Sequence, residues 1–139
     1  LEIEKQFGLN KYSHYKIFDE KFKKLIKKNR DSIKLILNNN STIYGYGAAA
    51  KSTIWTNIMG LNNKNMKIIF DKNPYKSNKY IPGTNILIKN DTLIKKIKPK
   101  NIIIFTWNLK EEIIKQLKFL KKIKTNFITF EPYLKIYKE

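Results

Sequence analysis

Ten residues, Thr42–Lys51 (TIYGYGAAAK), constrain this chain more than any others. A β-branched and aromatic run meets Gly45 and Gly47, then passes directly into Ala48, Ala49 and Ala50. Alanine is the strongest helix former, so the turn is expected to open straight into a helix. Gly45, Gly47 and Ala50 then fit a strand–GxGxx(G/A)–helix pattern. Glycine permits the tight turn and leaves no Cβ between the backbone and a ligand. The first N–H groups of a helix have no partner inside it, and with the helix dipole they favour a phosphate or carboxylate. A tight strand-to-helix connection with no ligand is the competing use of the same residues.

Apolar spacing places the other elements around this turn. Phe18, Phe22, Leu25, Ile26, Ile33 and Ile36 recur every three or four residues, which predicts an amphipathic helix over Ile17–Leu37. Asn38, Asn39, Asn40 and Ser41 are expected to end it. A second helix is expected over Ala48–Met59, stopped by Gly60 and Asn62–Asn63. Buried strands are expected at Lys67–Asp71, Ile86–Ile88, Asn101–Phe105 and Phe127–Phe130. Residues 72–85 read as a long loop with a type II turn signal at Pro82–Gly83. A short helix is expected over Asp91–Ile97 and a longer one from Leu109 to about Lys122. Asn108 stands as its N-cap, with Glu111 three residues on.

Five strands separated mostly by helices predict an α/β fold. It is a Rossmann-like, doubly wound, mostly parallel five-stranded sheet of order 3-2-1-4-5 with an extra N-terminal helix. The expected division is an extension and helix over 1–40, an α/β core over 41–131 and a tail over 132–139. Ligands bind such sheets beyond the carboxyl ends of the strands, where the order reverses. That places Gly45–Tyr46–Gly47 and Thr106–Trp107–Asn108 on one crevice, 60 residues apart in sequence. Trp107 either stacks on a flat ring or roofs the sheet edge, and Asn108 either binds a ligand or caps its helix. Asp71 ends the second strand 24 residues after Gly47, near where a dinucleotide-binding unit puts the acid that holds a ribose. A strand-end Asp that begins a turn is the other reading. Lys76, Lys79 and Tyr80 add cationic and aromatic contacts beside Pro82–Gly83.

Composition narrows the function classes. The net charge is +18, carried by 28 lysines and a single arginine, Arg30. The lysines run from Lys5 to Lys138 and accompany many Asn and Ile, a bias that resembles an A/T-rich genome. Specific nucleic-acid surfaces lean on arginine for bidentate contacts, so a generally basic surface is favoured over DNA or RNA recognition. With no cysteine, disulfides and thiolate zinc sites are excluded, and one histidine makes a His-based metal site improbable. His14 precedes the expected first helix with no acidic or nucleophilic partner in its stretch, which suits a surface or capping role. No apolar run reaches the ~20 residues needed to cross a membrane, and no signal peptide is visible, so a cytoplasmic protein is expected. A start at Leu1 suggests an excised part of something longer.

The runs YGYGAAAKS, FDKNPYKSNKYIPGTNILI and IIIFTWNLKEEI, in that order, resemble the C-terminal domain of S-adenosylmethionine-dependent nucleotide-sugar C-methyltransferases. The resemblance extends from Tyr15–Phe18 to Glu131–Pro132. It implies a three-domain parent: a zinc-binding N-terminal domain, a central methyl-donor domain carrying the catalytic base, and this Rossmann-like module closing over the nucleotide-sugar. By that analogy Gly45, Tyr46, Gly47, Ala48, Ala49, Lys51, Lys76, Tyr80, Pro82, Gly83, Thr84, Trp107 and Asn108 line the nucleotide side of the cleft. Asp71 is compatible with a nucleotide-sugar or a dinucleotide. The domain is then expected to bind no cofactor itself, S-adenosylmethionine and zinc belonging to the parent enzyme. Its expected partners are a nucleotide-linked sugar and the missing methyl-donor domain. A free-standing NAD(P)-binding Rossmann domain is the alternative.

Overall fold

Continuous apolar runs become the inner strands of one sheet, because only strands covered on both faces can bury every side chain. The computed structural model describes residues 1–38 and 42–138. Along the chain come α1 (Glu2–Gln6), α2 (Tyr12–Asn38), β1 (Ile43–Tyr46), α3 (Ala50–Met59) and β2 (Met66–Asp71). Then follow β3 (Tyr80–Ile81), β4 (Ile86–Asn90), α4 (Ile94–Ile97), β5 (Asn101–Ile104), α5 (Lys110–Gln116), β6 (Asn126–Phe130) and β7 (Leu134–Lys138). The spatial order is β3-β4-β2-β1-β5-β6-β7. β4, β2, β1, β5 and β6 are mutually parallel, whereas β3 and β7 pair antiparallel at the two edges.

The expected count of five strands and its order therefore change in detail. The five expected strands are the inner ones, and renumbered among themselves they do run 3-2-1-4-5. Two edge strands complete a seven-stranded sheet. Tyr80–Ile81 is too short to show a period, so it lay hidden in the expected loop over 72–85. Within the expected tail, Leu134–Lys138 hairpins back along β6, with Phe130 opposite Leu134.

Neighbouring residues on a strand face opposite ways, so each inner strand feeds two apolar layers. Ile43, Ile69, Ile103, Ile128 and Phe130 pack with Ile26 and Ile33 of α2 and Met59 of α3. Phe70, Ile102, Ile104 and Phe127 pack on the other face with Ile94 of α4 and Ile113, Ile114 and Leu117 of α5 or its end. Helix limits also shift. The first long helix begins at Tyr12 rather than Ile17 and so takes in His14; its expected Asn39–Ser41 stop lies outside the described residues. The expected helix to Lys122 is α-helical only to Gln116. A 3₁₀ segment, Lys118–Ile123, carries Leu120 into the core instead.

The long helix is fixed to the far edge of the sheet by one polar side chain. Asn29, fully buried, donates from Nδ2 to the Pro132 carbonyl at 3.0 Å and accepts from the Leu134 N–H at 2.8 Å. Asn29→Ala leaves both backbone groups without that partner. The expected cost is about 1–3 kcal/mol in urea unfolding. An unchanged unfolding free energy would mean that the apolar stripe alone holds α2.

Candidate functional site

The glycine turn and the end of β5 meet at the point where the strand order reverses. Gly47 leaves β1 with φ +88, a left-handed conformation that favours glycine. A Cβ there would also stand 2.9 Å from Thr106 Oγ1. Gly45 serves differently. It lies inside the sheet, where a Cβ would fall 2.6 Å from Ile69 Cγ1 and 2.9 Å from Phe105 Cε2. The first glycine therefore permits packing between neighbouring strands, and the second permits the turn.

Asp71 holds that turn in place. Its Oδ2 accepts from the Ala48 N–H at 2.7 Å and from the Lys76 ammonium at 3.3 Å, and its Oδ1 accepts from the Asn73 N–H at 2.8 Å. Lys76 also donates to the Ala48 carbonyl at 2.8 Å. Asp71 thus does begin a turn, and three donors already converge on the carboxylate that a ribose would need.

The next residues leave α3 open at its start. Ala49 is the N-cap and has no side-chain acceptor to offer. The Ser52 and Thr53 N–H groups bond back to the Ala49 carbonyl, while those of Ala50 and Lys51 find no acceptor among the described residues. On the same first turn of α3, the Lys51 side chain carries its ammonium to 4.5 Å from the Trp107 ring centroid and 3.5 Å from Asn108 Oδ1. Trp107 is seated edge-on against Trp55 at 5.9 Å, and Trp55 stacks on Phe130 at 4.9 Å. The structure so joins Gly47, Ala48, Ala49, Lys51, Trp107 and Asn108, with Asp71 and Lys76 as their support. Asn108 does not cap its helix. The chain leaves β5 through a 3₁₀ turn at Trp107–Leu109, so α5 starts later, after an uncapping Leu109.

The remaining expected residues lie elsewhere. Tyr46 points to the opposite face, is buried, and donates to Asp91 Oδ2 at 3.1 Å. Tyr80 is exposed on edge strand β3. Pro82, Gly83 and Thr84 form the expected turn, Gly83 having φ +77. β4 runs parallel to β2, however, so the turn feeding it lies at the amino edge of the sheet, away from Gly47. There the Pro82 carbonyl accepts from Asn57 Nδ2 at 3.0 Å, and Thr84 Oγ1 donates to the Ile81 carbonyl at 3.0 Å.

Two clefts flank the switch point. One, of about 170 Å³, is lined by Tyr46, Gly47, Asp71, Thr106, Glu112 and Gln116 among others. The other, of about 480 Å³, runs from Trp107 and Asn108 to Lys110, Glu112 and Glu131. Lys110 donates to both Glu131 oxygens, at 3.1 and 2.9 Å, and that hydrogen bond raises its pKa. Thr106 lies on the expected crevice, whereas Asp91, Glu112, Gln116 and Glu131 were missed in the sequence. Asp91 and Glu131 each follow directly on a parallel strand, the one signal that could have found them.

Among the described residues no three His, Cys, Asp or Glu side chains are grouped to hold a metal ion, and no helix is long and apolar enough to cross a membrane.

Taken together, a mostly parallel, doubly wound sheet with a glycine turn at its switch point defines a Rossmann-like α/β domain. The chain belongs to the C-methyltransferase C-terminal domain family, whose model matches residues 1–132, as the three sequence runs implied. Among solved structures it is similar to UDP-D-quinovosamine 4-dehydrogenase from Vibrio fischeri, at 15% identity and a TM-score of 0.50, over 70% of this chain and 93% of that one. That likeness is one of fold. A comparison with curated proteins finds no match.

Burial, and after it the Asp91 carboxylate, pushes the Tyr46 hydroxyl pKa well above its ordinary value of 10.0. Unfolding releases that proton more readily, so the stabilisation is complete below about pH 10 and lost as pH rises further. Tyr46→Phe is expected to reduce the fall in stability between pH 9 and pH 11, read as a shift in denaturant midpoint. Equal falls in the two proteins would mean that the phenol is not ionised on unfolding in that window.

Proposed function

We propose that this chain is the nucleotide-sugar-binding module of an S-adenosylmethionine-dependent sugar C-methyltransferase, and that other segments of the parent carry the methyl donor and the catalytic base. Family membership supports the methyltransferase part. The open start of α3, with Lys51 on its first turn, carries the ligand part, because it offers unpaired N–H groups, the positive helix end and a cation to one diphosphate. The dipole contributes roughly 0.3–1 kcal/mol, and a charge-assisted lysine contact about 1.5–3 kcal/mol. Lys51 therefore dominates. Its 3.5 Å bond to Asn108 is at the limit of a hydrogen bond, so turning to a phosphate costs little. Trp107 contacts the lysine and offers a ring edge to the base or sugar. The solved structure of similar fold is itself named for a UDP-linked sugar.

The NAD(P) alternative requires Asp71 to accept ribose hydroxyls, and the three donors already on that carboxylate disfavour it. The described residues do not fit zinc, so zinc, like S-adenosylmethionine, is assigned to the rest of the parent enzyme. A cytoplasmic location remains part of the proposal, since nucleotide-sugar chemistry belongs there.

Calorimetric titration of a panel of nucleoside-diphosphate sugars into the chain and into Lys51→Met tests the reading. Methionine keeps the aliphatic length and removes the charge. The expected loss is about 1.5–3 kcal/mol, roughly ten- to hundredfold in Kd. Equal affinity in both proteins would place the diphosphate elsewhere.

A further inference from the structure

The amphipathic stripe of α2 is only half covered. Its carboxyl-terminal part, Ile26 and Ile33, is buried against the sheet, with Phe22, Ile36 and Leu37 packed around them. The same stripe continues backwards at helical spacing through Phe18 and Tyr15, which stay exposed although the Tyr15 hydroxyl donates to the Leu9 carbonyl at 2.7 Å. Tyr12 is 83% exposed, Tyr15 53% and Phe18 63%, and the Phe18 ring stacks on Phe22 at 6.1 Å. α1, just before it, exposes Ile3 and Phe7 as well. A contiguous run of large exposed apolar side chains of this kind marks an interaction surface rather than scatter.

We propose that Tyr12, Tyr15 and Phe18 dock the segment that precedes this module in C-methyltransferases of its family. The proposal rests on the reading above that other segments complete the enzyme. Two observations select this occupant. The family is described as a C-terminal domain, so in its enzymes another segment stands before it, and the bare stripe lies on the first two elements of the chain. At helical spacing Lys16 and Lys23 flank the stripe on one side and Lys21 on the other, with Asp19 already paired to Lys23 at 2.6 Å. Those flanking lysines call for an apolar counter-surface edged with carboxylates. A second copy, which brings the same lysines and a further net charge of +18, is the poorer match.

Phe18→Asp places a carboxylate in the centre of the stripe, and Phe18→Leu keeps it apolar. The probe is the recombinant segment preceding this domain, taken from a full-length enzyme of the family and mixed with the chain in sedimentation velocity. A one-to-one complex is expected with the chain and with Phe18→Leu, weakened roughly tenfold or more by Phe18→Asp. Thermal unfolding of Phe18→Asp is expected to stay close to the parent, since that ring is mostly in solvent. Four results would each overturn the proposal. They are equal binding by Phe18→Asp, no complex with the unaltered chain, a homodimer that Phe18→Asp dissolves, or co-sedimentation with phosphatidylglycerol vesicles that Phe18→Asp abolishes. Nucleoside-diphosphate-sugar binding by the Phe18→Asp protein is expected to be unchanged. A failure of docking with sugar binding intact thus refutes the surface and leaves the ligand reading standing.

Discussion

The Asp71 carboxylate is the contact on which the site depends. It ends β2, yet it fixes the turn that follows β1, by taking the Ala48 N–H on one oxygen and the Asn73 N–H on the other. Lys76 closes the loop by bridging Asp71 to the Ala48 carbonyl. Hydrogen bonds to a charged group contribute about 1.5–3 kcal/mol each when shielded, as this largely buried carboxylate is. The backbone at Ala48 is thereby satisfied internally, and the unpaired donors move on to Ala50 and Lys51. An acid at this strand end can grip a ligand or grip the turn, and here it grips the turn.

Two faces of the sheet divide the work at the switch point. On the α3 side, Phe130, Trp55 and Trp107 form a continuous aromatic support that ends in the Lys51 ammonium. On the α5 side, Tyr46 and Asp91 tie β1 to the end of β4 beneath the smaller cleft. Adjacent residues of one strand, Gly45 and Tyr46, thus have unrelated duties: the first lets β2 and Phe105 close in, and the second anchors a distant loop. The pattern of two glycines encodes packing and turn geometry as much as ligand approach.

Much of this architecture was legible because it rests on local physics. Runs such as Asn101–Phe105 can only be strands covered on both faces, and right-handed crossovers then fix their inner order. The edge strands were not legible. Tyr80–Ile81 is held by two residue pairs with β4, and the β7 sequence LKIYK resembles any polar tail until β6 offers it an edge. Proximity in sequence also misled. Lys76 and Pro82 are six residues apart, but antiparallel β3 carries the chain back to the amino edge, so only Lys76 reaches the site. Asn108 reads as an N-cap on local grammar alone. The 3₁₀ turn after β5 moves the helix start past it and leaves its carbonyl for Lys51.

An anion seated at the start of α3 would be read out by the amides that face it, so NMR of the chain is the decisive measurement. Titrating a nucleoside-diphosphate sugar into the isotope-labelled chain is predicted to shift the Ala50 and Lys51 amides and the Trp107 indole most strongly. Asn57, beside the Pro82–Thr84 turn, is predicted to stay still. A separate groove of about 1020 Å³ between α5 and β7 is lined by Lys110, Lys115, Lys118, Lys121 and Lys138. Saturable shifts confined to that groove, with Ala50 and Lys51 unmoved, would place the anion there instead.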